Sequence, residues 1–147
     1  MVIDDLNKGI LRELKDGRKS YKLIAEVLDV TENTIRSRVR KMQDDGILDI
    51  SGYVDVDQFD GLQIIMIGIR TSSMDYIAKG EEISQLQGVI SVSVVTGRFD
   101  LIVTVQLNEE LQMLDFLKNE LAKVESIEAI ETYLVYKGFN LKTPYLQ

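Results

Sequence analysis

Apolar residues recur at helical spacing in three segments within the first 50 positions of the chain. The spacing predicts helices over 3–16, 20–28 and 31–46, with Ser20 and Thr31 as N-caps of the second and third. The apolar stripe of the third helix consists of Ile35, Val39 and Met42. Two short helices, a tight turn and a third amphipathic helix form the helix-turn-helix pattern.

The predicted third helix carries positive charge in a chain whose formal net charge is −7. At ~100° per residue, its outward side carries Asn33, Ser37 and Arg40. Arg38 lies near the buried edge, where we expect it to pair or pack. In a helix-turn-helix the second helix of the pair enters the major groove of DNA. The alternative is an ordinary solvated basic surface, which the preceding helix, the turn and the Thr31 cap disfavour.

The predicted DNA-contacting residues comprise the outward side of the third helix, its two flanks, its cap and the basic residues at the start of the second helix. They are Arg18, Lys19, Lys22, Thr31, Asn33, Thr34, Arg36, Ser37, Arg40 and Lys41.

The second half of the chain predicts a different architecture. Its apolar runs predict strands over 64–70, 89–96, 99–107 and 127–136. A helix is predicted over 75–87, and Asn108 is expected to cap another that carries Leu111, Leu114, Leu117 and Leu121. The order β-α-β-β-α-β predicts a four-stranded antiparallel sheet with both helices on one face, as in ferredoxin-like domains. The other face would be open and apolar, so we expect two copies of the chain to associate through it.

The fold class is therefore α+β. We expect a helix-turn-helix, winged-helix-like domain at 1–50, an extended linker at 51–62 and a ferredoxin-like domain for ligand sensing and oligomerisation at 63–147. Charge supports the division, because residues 1–50 contain equal numbers of basic and acidic residues and the whole excess of acid lies beyond them.

Composition narrows the chemistry. The chain contains no cysteine and no histidine, so it offers no thiol nucleophile, no imidazole base and no ordinary zinc site, and neither a cofactor nor a metal is predicted. No run approaches the ~20 apolar residues of a membrane span. The acidic start lacks the character of a secretory signal, so a cytoplasmic protein is expected.

Taken together, the two halves resemble the Lrp/AsnC family of feast/famine transcription regulators. The resemblance rests on IDDLNKGILREL at the start, on the helix-turn-helix segment 16–48 and on VTGRFDLIVTV at 95–105. Two positions depart from the family pattern. Asn7 stands where a second Asp is usual, and Asp29 stands where Gly is common in the turn. Aspartate tolerates the left-handed conformation better than most residues, so the turn is expected to survive.

The resemblance also implies a ligand site. In the family, dimers associate further, often into octamers, and an amino acid binds between dimers near a glycine-aspartate loop. The corresponding residues here are Gly97, Arg98, Phe99 and Asp100, with Glu131 and Thr132 of the last strand. Backbone N–H groups of a glycine turn suit an α-carboxylate, and Asp100 suits an α-ammonium. The alternative is that Gly97 only permits a hairpin turn and Asp100 only caps it.

The expected function is that of a transcription regulator that binds double-stranded DNA, responds to a small-molecule effector and forms homo-oligomers: dimers, with tetramers or octamers as larger assemblies. Two alternatives stay open. One is an amino-acid-binding or assembly module that has lost DNA binding. The other is an enzyme that uses the acid pairs 81–82 or 109–110, which the absence of His and Cys disfavours.

Overall fold

The computed structural model describes residues 2–145 and divides the chain into two compact units, Met1–Ser51 and Gly52–Gln147. The segment 51–62, expected to be an extended linker, falls within the second unit from Gly52 onward. Among the described residues, no helix combines the length and the apolar character that crossing a membrane requires.

The first unit contains three helices, α1 (Asp5–Glu13), α2 (Tyr21–Leu28) and α3 (Glu32–Asp44). Each begins after a side chain that accepts a backbone N–H in its first turn. Ser20 and Thr31 act as the predicted caps of α2 and α3.

The first helix is shorter than the predicted span of 3–16. Asp4 is its N-cap, because the Asp4 carboxylate accepts the N–H of Asn7 at 2.8 Å. Beyond Glu13 the bonding tightens to three-residue spacing, as in the 3.3 Å bond from the Lys15 N–H to the Arg12 carbonyl. The chain then turns before Ser20.

A residue in the left-handed helical conformation lies in the turn between α2 and α3. Asp29 has φ 53° and ψ 48°, as expected from the tolerance of aspartate for this conformation. The turn directs the apolar stripe of α3 onto the other two helices, and the buried cluster is Ile10, Ile24, Ala25, Ile35, Val39 and Met42. No strand lies among residues 2–51, so this part of the chain has no β-wing.

The second unit contains the predicted βαββαβ sequence of elements. After the short strand β1 (Tyr53–Asp55), its main strands are β2 (Gln63–Thr71), β3 (Val89–Val94), β4 (Leu101–Leu107) and β5 (Ile127–Leu134). Their spatial order is β3-β4-β2-β5 with every neighbouring pair antiparallel. The connections contain α4 (Tyr76–Ser84) and α5, which begins as Met113–Asp115 and continues as the π-helical Phe116–Glu120 and the 3-10 segment Leu121–Lys123.

Alternation along the two central strands determines which face of the sheet meets the helices. Ile65, Ile67 and Ile69 of β2 lie opposite Val105, Val103 and Leu101 of β4. All six are completely buried and form one core with helical residues such as Ile83 and Phe116. Side chains between them in the sequence point to the opposite face.

The start of α5 differs from the prediction. The Asn108 side chain accepts the N–H groups of Glu110 and Leu111, at 2.9 and 2.7 Å, as predicted for a cap. These bonds close a turn instead of opening a helix, and the helix begins only at Met113. Leu111 is nevertheless buried in the core.

The chain pairs its first strand with its last. β1 and β6 (Lys142–Pro144) form a two-stranded ribbon, and β6 was not predicted. Thr143 of the ribbon donates a 2.9 Å hydrogen bond to the Gln106 side chain of β4, and both residues are buried. Gln106 lies on the sheet face away from the helices, since it pairs with Ile64 in the register. The ribbon therefore covers part of that face.

Two glycines of the second unit are predicted to respond oppositely to alanine. A Cβ on Gly80, inside α4, would meet its nearest side-chain atoms at 3.7–3.8 Å, an ordinary contact distance. Gly80→Ala should raise the free energy of unfolding by up to about 1 kcal/mol, because a glycine inside a helix lowers its stability relative to alanine.

The second glycine, Gly88, has φ +81°, and a Cβ there would lie 2.8 Å from the Gln106 carbonyl oxygen. Gly88→Ala should lower that free energy by about 2 kcal/mol or more. Urea denaturation checks both, and a destabilising Gly80→Ala would contradict the packing of α4.

Acid should weaken the first unit through Asp4. The hydrogen bond from the Asn7 N–H, followed by that from Arg38, lowers the pKa of Asp4 below its usual 3.8. A depressed pKa contributes stability that is present above the unfolded value and is lost as the pH falls through the folded value. The stability difference between the wild type and Asp4→Asn, measured by denaturation, should be constant above about pH 5 and shrink below pH 4. A difference that grows in acid would contradict this assignment.

Candidate nucleic-acid interface and ligand loop

The outward side of α3 is exposed as the helical wheel predicts. Asn33, Ser37 and Arg40 are exposed, while the stripe of Ile35, Val39 and Met42 is buried. Arg40 is the most open of the paired arginines of this helix, with 84% of its side chain accessible. The rotation of α3 therefore presents polar and cationic groups together on the surface of the first unit.

Carboxylates of the same helix lie beside two of these cations. Arg36 Nη2 lies 2.7 Å from Glu32 Oε1, and Arg40 Nε lies 3.8 Å from Asp44 Oδ2. The Arg36 guanidinium also lies over the Tyr21 ring of α2, 5.6 Å from its centre. Glu32 and Tyr21 were not among the residues predicted for this surface, although the four-residue spacing of acid and base between Glu32 and Arg36 was a readable signal.

The two threonines of the predicted DNA-contacting set are bonded to each other. The Thr31 hydroxyl oxygen accepts the N–H of Thr34 at 3.2 Å and lies 2.9 Å from the Thr34 hydroxyl. Thr31 therefore acts as the N-cap of α3. Both hydroxyls remain near the amino end of the helix, where base edges are contacted in a helix-turn-helix.

The basic residues around the start of α2 divide into two kinds. Lys19 forms an ion pair with Glu13, and only 25% of its side chain is accessible. Arg18 and Lys22 are exposed. Only the latter two therefore extend from the start of α2 without a described ion pair.

Arg38 occupies the supporting position predicted for it. Its Nη1 donates to the Asp4 carboxylate at 2.6 Å and lies 3.4 Å from the side-chain oxygen of the fully buried Asn7. Because Asp4 also caps α1, one carboxylate ties the beginning of the first helix to the middle of α3. Asn7 takes part in this contact as a neutral group.

The glycine-aspartate loop joins β3 to β4. Gly97 has φ +139°, which favours glycine, and the Val95 N–H donates to the Asp100 carbonyl at 3.0 Å across the turn. The Asp100 N–H donates to the Ile69 carbonyl at 2.9 Å, and Asp100 Oδ2 accepts the Thr71 N–H at 2.9 Å. Asp100 therefore anchors the loop to β2. This is a structural role of the kind that the sequence allowed as the alternative to ligand binding.

Four side chains form a polar and aromatic cluster on the open face of the sheet. Phe99 lies over Gly68 so closely that a Cβ at Gly68 would be 2.5 Å from its ring. The Arg98 guanidinium lies 5.4 Å from the centre of the Phe99 ring and 2.7 Å from a Glu131 oxygen. The Tyr133 hydroxyl donates to the other Glu131 oxygen at 2.6 Å, which raises the pKa of Tyr133 above its usual value.

The structure brings together Arg98, Phe99 and Glu131, with Gly97 and Asp100 in the adjoining loop. Thr132 lies on the other face of β5. It pairs with Ile67, whose side chain is buried against the helices, whereas Glu131 pairs with Gly68 on the open face. Strand alternation therefore separates these two neighbours.

Comparison with known proteins matches both units. A model of the AsnC-type helix-turn-helix domain matches residues 3–43, and a model of the Lrp/AsnC ligand binding domain matches residues 64–144. An uncharacterized HTH-type transcriptional regulator of Pyrococcus furiosus is 30% identical over 138 residues, which cover 91% of this chain and 92% of that protein.

Solved structures give the same result over both units. The structure of AsnC from E. coli is 27% identical with a TM-score of 0.68, and the match covers 97% of this chain and 98% of that one. A transcriptional regulator of Neisseria meningitidis, solved as a complex with L-Met, is 15% identical with a TM-score of 0.68 over 99% of this chain and 97% of that one, which shows a shared fold.

These relatives regulate transcription, so the enzyme alternative is set aside. With both domain models matched in order along one chain, the protein belongs to the Lrp/AsnC family and is a transcription regulator with a DNA-binding helix-turn-helix domain and a ligand-binding domain.

Proposed function

We propose that this regulator recognises a specific DNA sequence through the outward side of α3 and that an amino acid bound by the second unit modulates this recognition. The main support for this proposal is the rotation of α3 about its axis, which buries its apolar stripe and exposes Asn33, Ser37 and Arg40. A helix-turn-helix places such a side in the major groove, with its amino-terminal residues nearest the bases.

The cations supply affinity that does not depend on sequence. Arg18 and Lys22 before and within α2, and Lys41 on the flank of α3, are exposed and suited to phosphate contacts. Two copies of the chain would place two α3 helices in successive major grooves about 34 Å apart and so bind a pseudo-palindromic site.

The open face of the sheet supports association of two copies. Met66 and Tyr133 face each other across β2 and β5 on this side, and 41% and 45% of their surfaces are accessible. Burying them against a second sheet would remove apolar surface from water and give the dimer that the DNA-binding arrangement needs. Larger assemblies of such dimers would bring the Gly97–Asp100 loops of different dimers together.

An amino acid fits the charges around that loop. Arg98 offers a guanidinium for the α-carboxylate, and the Asp100 carboxylate, bonded to Thr71 through Oδ2, has Oδ1 as an acceptor for the α-ammonium. The Neisseria meningitidis neighbour is described as an L-Met complex, which supports an amino acid as the class of effector. The effector would act by binding one assembly better than another.

The second candidate is a module of the same fold that binds amino acids or other copies without binding DNA. The intact caps of α2 and α3, together with the exposed outward side of α3, favour the DNA-binding alternative.

DNA binding should depend on the cations of α3. Against a site selected from random-sequence DNA, Arg36→Ala with Arg40→Ala should weaken binding. The slope of log affinity against log salt should fall by about 1 for each phosphate that the protein no longer neutralises. Gel-shift titrations at several salt concentrations measure both quantities.

The matched control for this double variant is Lys118→Ala with Lys123→Ala. Both lysines are exposed on the second unit, and Lys123 is paired with a carboxylate of its own helix, as the two arginines are. The control removes the same amount of positive charge and should leave affinity and slope close to those of the wild type. Unchanged affinity in the arginine double variant would contradict the proposed surface.

Effector binding should depend on the loop. Calorimetry with each of the twenty amino acids, L-methionine included, is expected to find a ligand whose affinity falls at least tenfold in Arg98→Ala. Asp100→Asn should also weaken it, because the loop loses a charged anchor and an ammonium acceptor. Thr132→Val, on the opposite sheet face, is the control. A ligand whose affinity is the same in all three variants binds elsewhere.

A further inference from the structure

The Arg36 guanidinium is held from two directions. Glu32, one helical turn earlier, accepts from its Nη2 at 2.7 Å, and the Tyr21 ring of α2 lies beneath it at 5.6 Å. Arginine stacks on aromatic rings through its planar face, and this leaves its edge N–H groups available. One carboxylate and one ring from two different helices therefore contact this guanidinium and restrict the positions that it can occupy.

The second cation–carboxylate pair of α3 is built differently. Arg40 and Asp44 have the same four-residue spacing, but their nearest charged atoms are 3.8 Å apart and their side chains are 84% and 69% accessible. The Arg36 and Glu32 side chains are 62% and 44% accessible. An exposed pair at that distance holds neither side chain in one geometry. The chain thus contains one oriented and one loosely held arginine on the same helix.

The oriented pair lies at the amino-terminal end of α3. Glu32 is the first residue of α3, and Arg36 follows one turn later on the flank of the outward side. Amino-terminal residues of the recognition helix are those that contact bases in the major groove. Guanine presents two acceptors there, O6 and N7, and the arginine fork matches them with two parallel hydrogen bonds.

The Glu32 carboxylate also selects against a phosphate. An anionic phosphate oxygen near Arg36 would meet the charge of Glu32 as well, whereas O6 and N7 of guanine are uncharged. We therefore propose that Arg36 recognises a guanine in each half-site, with Glu32 and Tyr21 as the positioning residues that hold its guanidinium. This inference rests on the proposed DNA-binding function and specifies a base for it.

Base substitution at a selected site tests the proposal. Wild-type protein first selects its site from random-sequence DNA, and affinities are then measured for that site with each G·C pair replaced in turn. One G·C pair per half-site should show a loss of about 5- to 100-fold. Arg36→Ala removes both donors, so this loss should fall to less than about 2-fold. Arg36→Lys keeps the charge but lacks the planar fork, so it should retain only part of the preference while the salt slope is unchanged. The contrasting result is equal weakening on every sequence, which marks a phosphate contact and overturns the proposal.

The positioning roles of Glu32 and Tyr21 are tested separately, by the discrimination for guanine in variants of these two residues. Glu32→Gln and Tyr21→Leu should each reduce the discrimination for guanine while Arg36 is present, whereas Tyr21→Phe should retain it because the ring remains. Asp44→Asn changes the charge of the loosely held pair and should leave the preference at this base pair unaltered. If Glu32→Gln keeps full discrimination, the positioning role is wrong even where Tyr21→Leu fails to fold. A wild-type protein without salt-dependent DNA binding would refute the proposed function itself. A protein that selects a site but keeps the same guanine preference in Arg36→Ala refutes only the guanine contact.

Discussion

Burial of Ile35, Val39 and Met42 against α1 and α2 determines how α3 is rotated about its axis, and the DNA-facing surface depends on that rotation. Each of these side chains is at most 1% accessible. Fully burying one such side chain is worth about 1.5–3 kcal/mol, more than an exposed ion pair contributes. The apolar stripe therefore decides the orientation, and the polar groups on the other side follow from it.

Contacts at the two edges of the stripe refine this orientation. On one edge Arg38 joins Asp4, the cap of α1, and on the other Arg36 lies over Tyr21 of α2. Each contact links α3 to a different helix of the unit. The cations of α3 consequently have distinct surroundings: Arg38 supports the fold, Arg36 lies between Glu32 and Tyr21, and Arg40 is loosely paired at the surface.

In the second unit, burial likewise determines which side chains lie on each face of the sheet. The buried residues of β2 and β4 assign one side of the sheet to the helices, so Gly68 and Glu131 come to lie on the other side. The absence of a side chain at Gly68 lets Phe99 lie against the sheet, and Arg98 follows it to Glu131. The ribbon of β1 and β6 covers another part of this face through Thr143 and Gln106. The remaining open area contains the polar cluster next to the loop.

Periodicity and capping signals in the amino-acid sequence were sufficient to predict the order of elements, the caps at Ser20 and Thr31, and the outward side of α3, because these are local properties. They also indicated the supporting place of Arg38. The turn at Asn108 was mispredicted for a local reason, because a side chain that closes a turn accepts nearby N–H groups just as a helix cap does. The tertiary structure was needed to establish that β6 pairs with β1, that Asp100 bonds to Thr71 and that Thr132 faces away from Glu131. These features depend on contacts between residues far apart in the chain, or on strand register. The ring of Tyr21 beneath Arg36 belongs to the same class, because two helices must pack before it exists.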